Sequence, residues 1–148
     1  EEDVRNMKTY INYKLDKFEL NLIWYLKKKE KKIPGLTYAL EKQCDAYKIS
    51  RRKRAENKRK KYLIEHPMEK NARLSLIDFL EYYDYRLLIE EHWQHFRDDF
   101  GKKDLFIDHF ERTQTLRNNI KHNNPVRPSE MRIGEGALLW FEDIIGSN

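Results

Sequence analysis

A chain of 148 residues has room for one domain, or for one domain with an extension, and 39% apolar and 13% aromatic residues are enough for a core, which excludes a disordered chain. A charged fraction of 37%, with only five Gly and four Pro, favours long helices over loop-rich architectures. No apolar run approaches the ~20 residues of a membrane span, no signal peptide is visible, and the single Cys44 excludes an intrachain disulfide and suits a reducing, cytoplasmic setting.

The net charge of +5 conceals a split. Residues 1–70 carry 20 Lys/Arg against 11 Asp/Glu, and residues 71–148 carry 10 against 14. The basic footprint and the acidic half are therefore different parts of the chain. The chain begins with Glu1 rather than Met, as a trimmed chain or one end of a longer protein would.

Val4, Met7, Ile11, Leu15, Phe18, Leu22 and Leu26 recur at three- and four-residue steps, the pattern of an amphipathic helix of about seven turns. Tyr10, Ile23, Trp24 and Tyr25 widen its apolar face. The helix runs into the cationic stretch Lys27–Lys32, which complements the C-terminal dipole, and Pro34-Gly35 stops it. A second helix is expected from Leu36, with Leu36, Leu40, Cys44 and Tyr47 as its stripe and Cys44 as a small core residue rather than a nucleophile. Its continuation from Lys48 to Lys61 holds nine Lys/Arg and one acid, Glu56, with almost no apolar residue. That segment reads either as a solvated helix face or linker or as a phosphate-binding arm built from Arg51, Arg52, Lys53, Arg54, Lys58, Arg59, Lys60 and Lys61, to which Lys121 further on is added.

His66-Pro67 breaks the pattern, and Asn71 is a candidate cap for the next element. Leu74, Leu76, Ile77, Phe79 and Leu80 are dense enough for core. Tyr82 to Tyr85 suggests a bend. Ile89, Trp93, Phe96 and Phe100 then step along one helix face, which Gly101 ends. His92 and His95, three apart, offer two ligands for a metal, but no Cys and no well-spaced third ligand accompanies them, so partly buried histidines beside Trp93 are the better reading. Phe106, Phe110, Thr113, Leu116 and Ile120 give the next helix a core face, and Asn123-Asn124-Pro125 ends it. Ser129 is the expected N-cap of a last helix, with Ile133, Ala137, Trp140, Phe141 and Ile144 completing the core. Gly134 and Gly136 either weaken that helix start or allow close packing or a bend. No repeat, P-loop, GxGxxG or Ser/His/Asp set is present. The fold class is all-α: an antiparallel helical bundle from about Ala72 to Ile145, preceded by two N-terminal helices. The expected domains are a basic helical extension, 1–70, and the bundle, 71–148.

The stretch Leu116–Asn124 reads LRNNIKHNN. On a helix, Asn118 and His122 are four apart and share a face, with Arg117 one step round. Arg is a forked donor matched to phosphate, His moves protons near neutral pH, and an amide beside it fixes its tautomer. Such a set can hold a phosphodiester and move protons on its sugar oxygens without a metal. Arg86 and His92 have a related spacing, but Leu87 rather than a polar residue follows Arg86.

Arg117, Asn118 and His122, set after LIDFLEYYDYRLLIEEHWQHFRDDFG and before a Pro-containing loop and a last apolar helix, resemble the HEPN superfamily (higher eukaryotes and prokaryotes nucleotide-binding) over roughly Leu74 to Ile145. The resemblance implies a metal-independent endoribonuclease. In it the ribose 2′-OH attacks the adjacent phosphate, with His122 as acid/base, Arg117 stabilising phosphoryl charge and Asn118 orienting His122 or the phosphate. It implies no cofactor and no bound metal, RNA as substrate, a homodimer whose two motifs line one cleft, and service as a toxin or anti-phage effector with an antitoxin or a larger defence complex as further partner. Many relatives are non-catalytic RNA-binding or dimerisation modules of larger proteins, which is the alternative, and a purely structural helical domain is a third reading.

Overall fold

The structure, a computed structural model, describes residues 2–69 and 74–146. It is an all-α helical bundle with one isolated antiparallel bridge, between Cys44 and Ser50, and no strand among the described residues. The chain divides into two units, Glu1–Tyr25 with Phe96–Asn148, and Leu26–His95. The division expected at 70/71 falls inside the second unit. The first helix is shared: its residues up to Tyr25 join the core of the C-terminal half, and its end belongs to the second unit.

In the first unit the opening residues of α1 (Glu2–Glu30) join α4 (Arg97–Phe100), α5 (Lys103–Lys121) and α6 (Pro128–Ile145). Ile11, Leu15, Phe18 and Leu22 are buried, as their spacing requires, and Phe18 meets Phe141 at 4.8 Å and Phe110 at 6.4 Å between ring centroids. Phe96, Phe106, Phe110 and Phe141 are wholly buried, and each such ring contributes ~1.5–3 kcal/mol relative to exposure. Tyr25 is buried against Phe96 and Phe100, and its hydroxyl donates to Asp99 at 2.5 Å. Burial, and then this bond, push the phenol far above its usual range. Other apolar residues of α1 lie outside the core. Tyr10 and Trp24, expected to widen the buried face, are 45% and 58% exposed.

Gly101 ends α4, as expected, at φ 83°, a backbone conformation that residues with a side chain rarely adopt. Pro128 begins α6 with Arg127 as its N-cap, so the cap lies two residues before the expected Ser129; proline at the first helical position has no N–H to leave unpaired. Gly134 serves close packing. A Cβ there would collide with the Leu116 side chain, so its absence lets α6 settle on α5. Ile133, expected in the core, is 54% exposed.

The second unit holds the end of α1, a 3₁₀ turn at Leu36–Lys42, α2 (Arg51–Glu65), a 3₁₀ turn at Leu76–Phe79, and α3 (Tyr82–Glu91). The expected single helix from Leu36 is interrupted. The Asp45 carboxylate accepts the N–H groups of Tyr47 and Ile49 at 2.9 and 3.0 Å, Lys48 turns left-handed at φ 65°, and Ser50 caps a new helix by accepting from Lys53 N–H at 3.0 Å. Asp and Ser side chains here win the backbone donors that a continuous helix would use. Cys44 is consequently exposed rather than core, and Tyr47 is 84% exposed.

Tyr82–Tyr85 is the first turn of α3 rather than a bend, because the Glu81 N–H donates to Asp84 at 2.9 Å and starts the helix there. That helix ends at Glu91, followed by a 3₁₀ turn at Trp93–His95, instead of running on to Phe100. His92 lies at the break, with Nε2 3.1 Å from the Leu36 carbonyl oxygen. The candidate cap Asn71 and the bundle start at Ala72 lie outside the described residues.

Candidate active site

Helix α5 buries Phe106, Phe110, Thr113 and Leu116, and this register fixes where the motif points. His122 is the C-cap, with its backbone N–H donating to the Asn118 carbonyl at 3.1 Å. Asn123 then takes φ 58° and Asn124 N–H donates to Asn119 O at 2.8 Å. The Asn-Asn pair is thus a left-handed helix stop, a conformation Asn tolerates better than most residues.

Asn118 and His122 are exposed, one turn apart, at the free end of the helix. Arg117 is on another side. Five residues separate it from His122, which at ~100° per residue sets them ~140° apart round the helix. Its Nε donates to Glu19 of α1 at 2.5 Å, and both side chains are little more than a quarter exposed. Lys121, one turn on, donates to Asp16 at 2.7 Å and to Asn12 at 2.6 Å. Within one chain the motif is therefore divided: Asn118 and His122 face outward together, while Arg117 and Lys121 face α1.

The α1 residues opposite them, Asn12, Asp16 and Glu19, form a polar stripe at i, i+4 and i+7. That stripe was present in the sequence beside the apolar one, and its meaning depended on knowing which helix lay against it. The N-terminal half of α1 is held to α6 by a further pair, Lys14 to Glu142 at 2.9 Å. That hydrogen bond holds the Glu142 carboxyl below, and the Lys14 ammonium above, their ordinary ranges.

The expected phosphate-binding arm is largely internal structure of the second unit. Arg51 Nη1 donates to the buried Asp84 at 2.8 Å and its guanidinium stands 5.3 Å from the Tyr83 ring centre. Arg54 meets Glu81 at 2.8 Å, Asp45 at 3.4 Å and Asp84 at 3.7 Å. Arg52 pairs with Glu56 and with Glu41 at 3.1 Å, and lies 4.3 Å from the Tyr38 ring centre. Lys53 reaches Glu56 at 3.9 Å and Lys58 reaches Glu81 at 3.3 Å. Lys60 and Lys61 are exposed and make no ion pair among the described residues, and Arg59 is half-buried. The segment lacks an apolar stripe because its partners are carboxylates on neighbouring elements, which a search for apolar periodicity does not register.

His92 and His95 stand 6.4 Å apart between ring centres, and among the described residues no group of three or more His, Cys, Asp or Glu is arranged to hold a metal ion. Arg86 bonds Glu90 at 3.1 Å within α3. No described helix is long and apolar enough to cross a membrane. One further concavity, a cleft of about 330 Å³ between α5 and α6, lies beside the outward face of α5 and contains Thr115 and Asn119 but neither Asn118 nor His122. No protein-family model, no curated protein and no solved structure matches the chain.

Proposed function

We propose that the chain is a HEPN-type, metal-independent endoribonuclease, acting in the cytoplasm as a toxin or anti-phage effector. The observation that carries the reading is the exposed pair Asn118 and His122 at the open end of α5, with an arginine adjoining them in sequence. The ribose 2′-oxygen forms a bond to the adjacent phosphorus and the phosphorus–5′-oxygen bond breaks. His122 takes the 2′ proton and the imidazolium so formed supplies one to the departing 5′-oxygen, and the products are a 2′,3′-cyclic phosphate and a 5′-hydroxyl. Asn118, one turn below, orients the imidazole or the phosphate. Arg117 stabilises the developing phosphoryl charge once Glu19 yields it. Because Arg117 and His122 of one chain diverge, a homodimer in which one protomer's Arg117 faces its partner's motif makes the more complete site. An antitoxin or a larger defence assembly is the further partner this reading proposes.

A second reading, a non-catalytic RNA-binding or dimerisation module, is favoured by the ion pairs that occupy Arg117 and Lys121. Incubation of total RNA in EDTA separates the two. The catalytic reading expects cyclic-phosphate ends that His122→Ala reduces by ~10²–10⁴ and that Arg117→Ala reduces nearly as much, with the fold intact. Equal cleavage by wild type and His122→Ala removes the catalytic assignment. RNA retention without cleavage selects the binding module.

A further inference from the structure

His122 belongs to the stripe of α5 that lines the cleft between α5 and α6. Asp108, Thr115 and Asn119 stand in that cleft. Steps of seven, four and three residues, from Asp108 through Thr115 and Asn119 to His122, keep all four within ~60° of one another round the helix. The last step, from Asn119 to His122, is only ~4.5 Å along the axis. The near end of the cleft and the imidazole are therefore neighbours on one helix face, at the separation of a base from the phosphate of its own nucleotide.

That end has an apolar floor and polar groups of both kinds. Leu116 and Val126 are buried, and Ile133 stands more than half exposed beside them. Gly134 packs on Leu116, and α6 runs back along α5 after the short loop 122–127. Glu130, one turn before Gly134, thus comes level with the turn after Leu116, where Asn119 lies. The Asn119 side-chain oxygen accepts from Asn124 at 3.3 Å, which leaves its N–H groups for a ligand carbonyl. Among the described residues Glu130 has one charged neighbour, Arg127 at 3.9 Å, beyond hydrogen-bond reach. At the other end of the cleft Asp108 is already bonded to Arg112, at 3.0 Å.

An apolar floor with an amide and a carboxylate at its edge suits an unpaired nucleobase, held by its ring face and read along its Watson–Crick edge. Guanine alone among the RNA bases sets two donors, N1–H and the 2-amino group, side by side with an acceptor, O6, next to them. A carboxylate accepts two parallel donors at once, and an amide N–H suits the O6. A volume of about 330 Å³ is at the small end of ligand pockets and takes one nucleoside rather than a length of strand. We propose that the α5/α6 cleft is a base pocket selective for guanine, seating the nucleotide whose 3′-phosphate reaches His122. The position of the cut, directly 3′ of guanine, rests on the ribonuclease reading; the pocket itself needs only α5 and α6.

Guanosine is the probe, because without a phosphate it calls on neither Arg117 nor His122. Titration calorimetry compares it with inosine, cytidine and uridine. Guanosine is expected to bind at roughly submillimolar concentration. Inosine, which differs in lacking the 2-amino group, is expected to bind about tenfold more weakly, and the pyrimidines more weakly still. Glu130→Gln is expected to cost guanosine about tenfold and inosine less. Thr115→Trp, at an exposed position, fills the cleft and is expected to abolish binding; circular dichroism confirms that both variants are folded. Absence of guanosine binding, equal affinity for guanosine and inosine, or an affinity unchanged in both variants would overturn the proposal. Mapping of RNA ends separates it from the nuclease assignment. Cuts without base preference, made by a protein that does not bind guanosine, sink the pocket and leave the ribonuclease standing. Guanosine binding that both variants weaken, in a protein that leaves RNA intact, supports the pocket and removes the ribonuclease.

Discussion

Replacing Asp84 asks whether the basic segment is internal scaffold or binding surface. Its side chain is 1% exposed, accepts from Arg51 at 2.8 Å, lies 3.7 Å from Arg54, and accepts the Glu81 N–H that starts α3 at 2.9 Å. Asp84→Ala removes all three. Loss of a helix-start acceptor costs ~1 kcal/mol, and removing one partner of a buried pair costs ~3–5 kcal/mol. The second figure must be reduced, because the Arg51 and Arg54 side chains are 20% and 21% exposed and their guanidinium groups can turn to water. A total of ~3 kcal/mol remains, which for a chain of this size is a Tm lower by roughly 6–12 °C. Urea and thermal unfolding followed by circular dichroism measure it, with exposed Lys53→Glu as a control expected to stay within ~0.5 kcal/mol of wild type. A loss below ~1 kcal/mol for Asp84→Ala would show that the network does not hold the unit together and would return the arginines to the pool available for RNA. By the same reasoning, charge reversal at Arg51, Arg52, Lys53 and Arg54 together unfolds the unit instead of reporting on RNA.

Gly134→Ala should cost ~1–3 kcal/mol by pressing a methyl into Leu116, and adding Leu116→Ala should recover part of that cost; strictly additive losses in denaturant unfolding would mean that α5 and α6 do not meet at this point. The Lys14–Glu142 pair gives a pH signature. Glu142, lowered by its bond to Lys14, contributes stability above the ordinary carboxylate range and loses it as pH falls through its own lower value, whereas Lys14, raised, contributes below its ordinary range and loses it as pH rises through its higher one. Glu142→Gln should therefore cost ~0–1 kcal/mol at neutral pH and converge on wild type in acid; a gap in melting temperature that persists below the carboxylate range would assign the effect to packing. Glu19→Gln should free Arg117 for phosphate and tighten RNA binding by up to about fivefold, the equivalent of a ~1 kcal/mol exposed pair. Weaker binding would instead make Glu19 the residue that positions Arg117.

The core helices were legible because their apolar residues recur at helical steps with few interruptions. Phe18, Phe106, Phe110, Phe141 and the Ile11–Leu22 series are buried as the spacing requires. Legibility failed where a polar side chain decided the backbone. Asp45 broke the expected second helix, and Asp84 began α3 where three tyrosines suggested a bend, both through hydrogen bonds that periodicity cannot register. The site was half legible. Helical geometry put Asn118 and His122 together on an open face, but it also sets Arg117 well round the helix, so placing all three in one small volume asked more of a single helix than its twist allows. Glu19 and Asp16 stayed hidden because a carboxylate's partner lies 98 or 105 positions away in sequence and is set by which helices meet.

The charge split in the sequence takes on a different meaning once the pairs are known. Residues 1–70 have the excess of cations, yet they also supply Asp16 and Glu19 against the motif's two cations, and Arg51, Arg52 and Arg54 face acids in their own unit. Sequence charge therefore overstates the positive surface that a polyanion meets. An RNA strand docking at Asn118 and His122 would meet less positive charge than the sequence suggests, since Arg117 and Lys121 each already have a carboxylate partner. Binding there would release few counterions. With the affinity of single strands falling by ~0.7 decade per decade of salt for each neutralised phosphate, one or two contacts give a slope near −1. A strand held also by Lys60 and Lys61, at the exposed end of α2, would show a slope steeper by ~0.7 for each lysine engaged. The salt slope, measured with and without charge reversal at those lysines, thus separates recognition by short-range contacts at the motif from capture by the exposed end of α2.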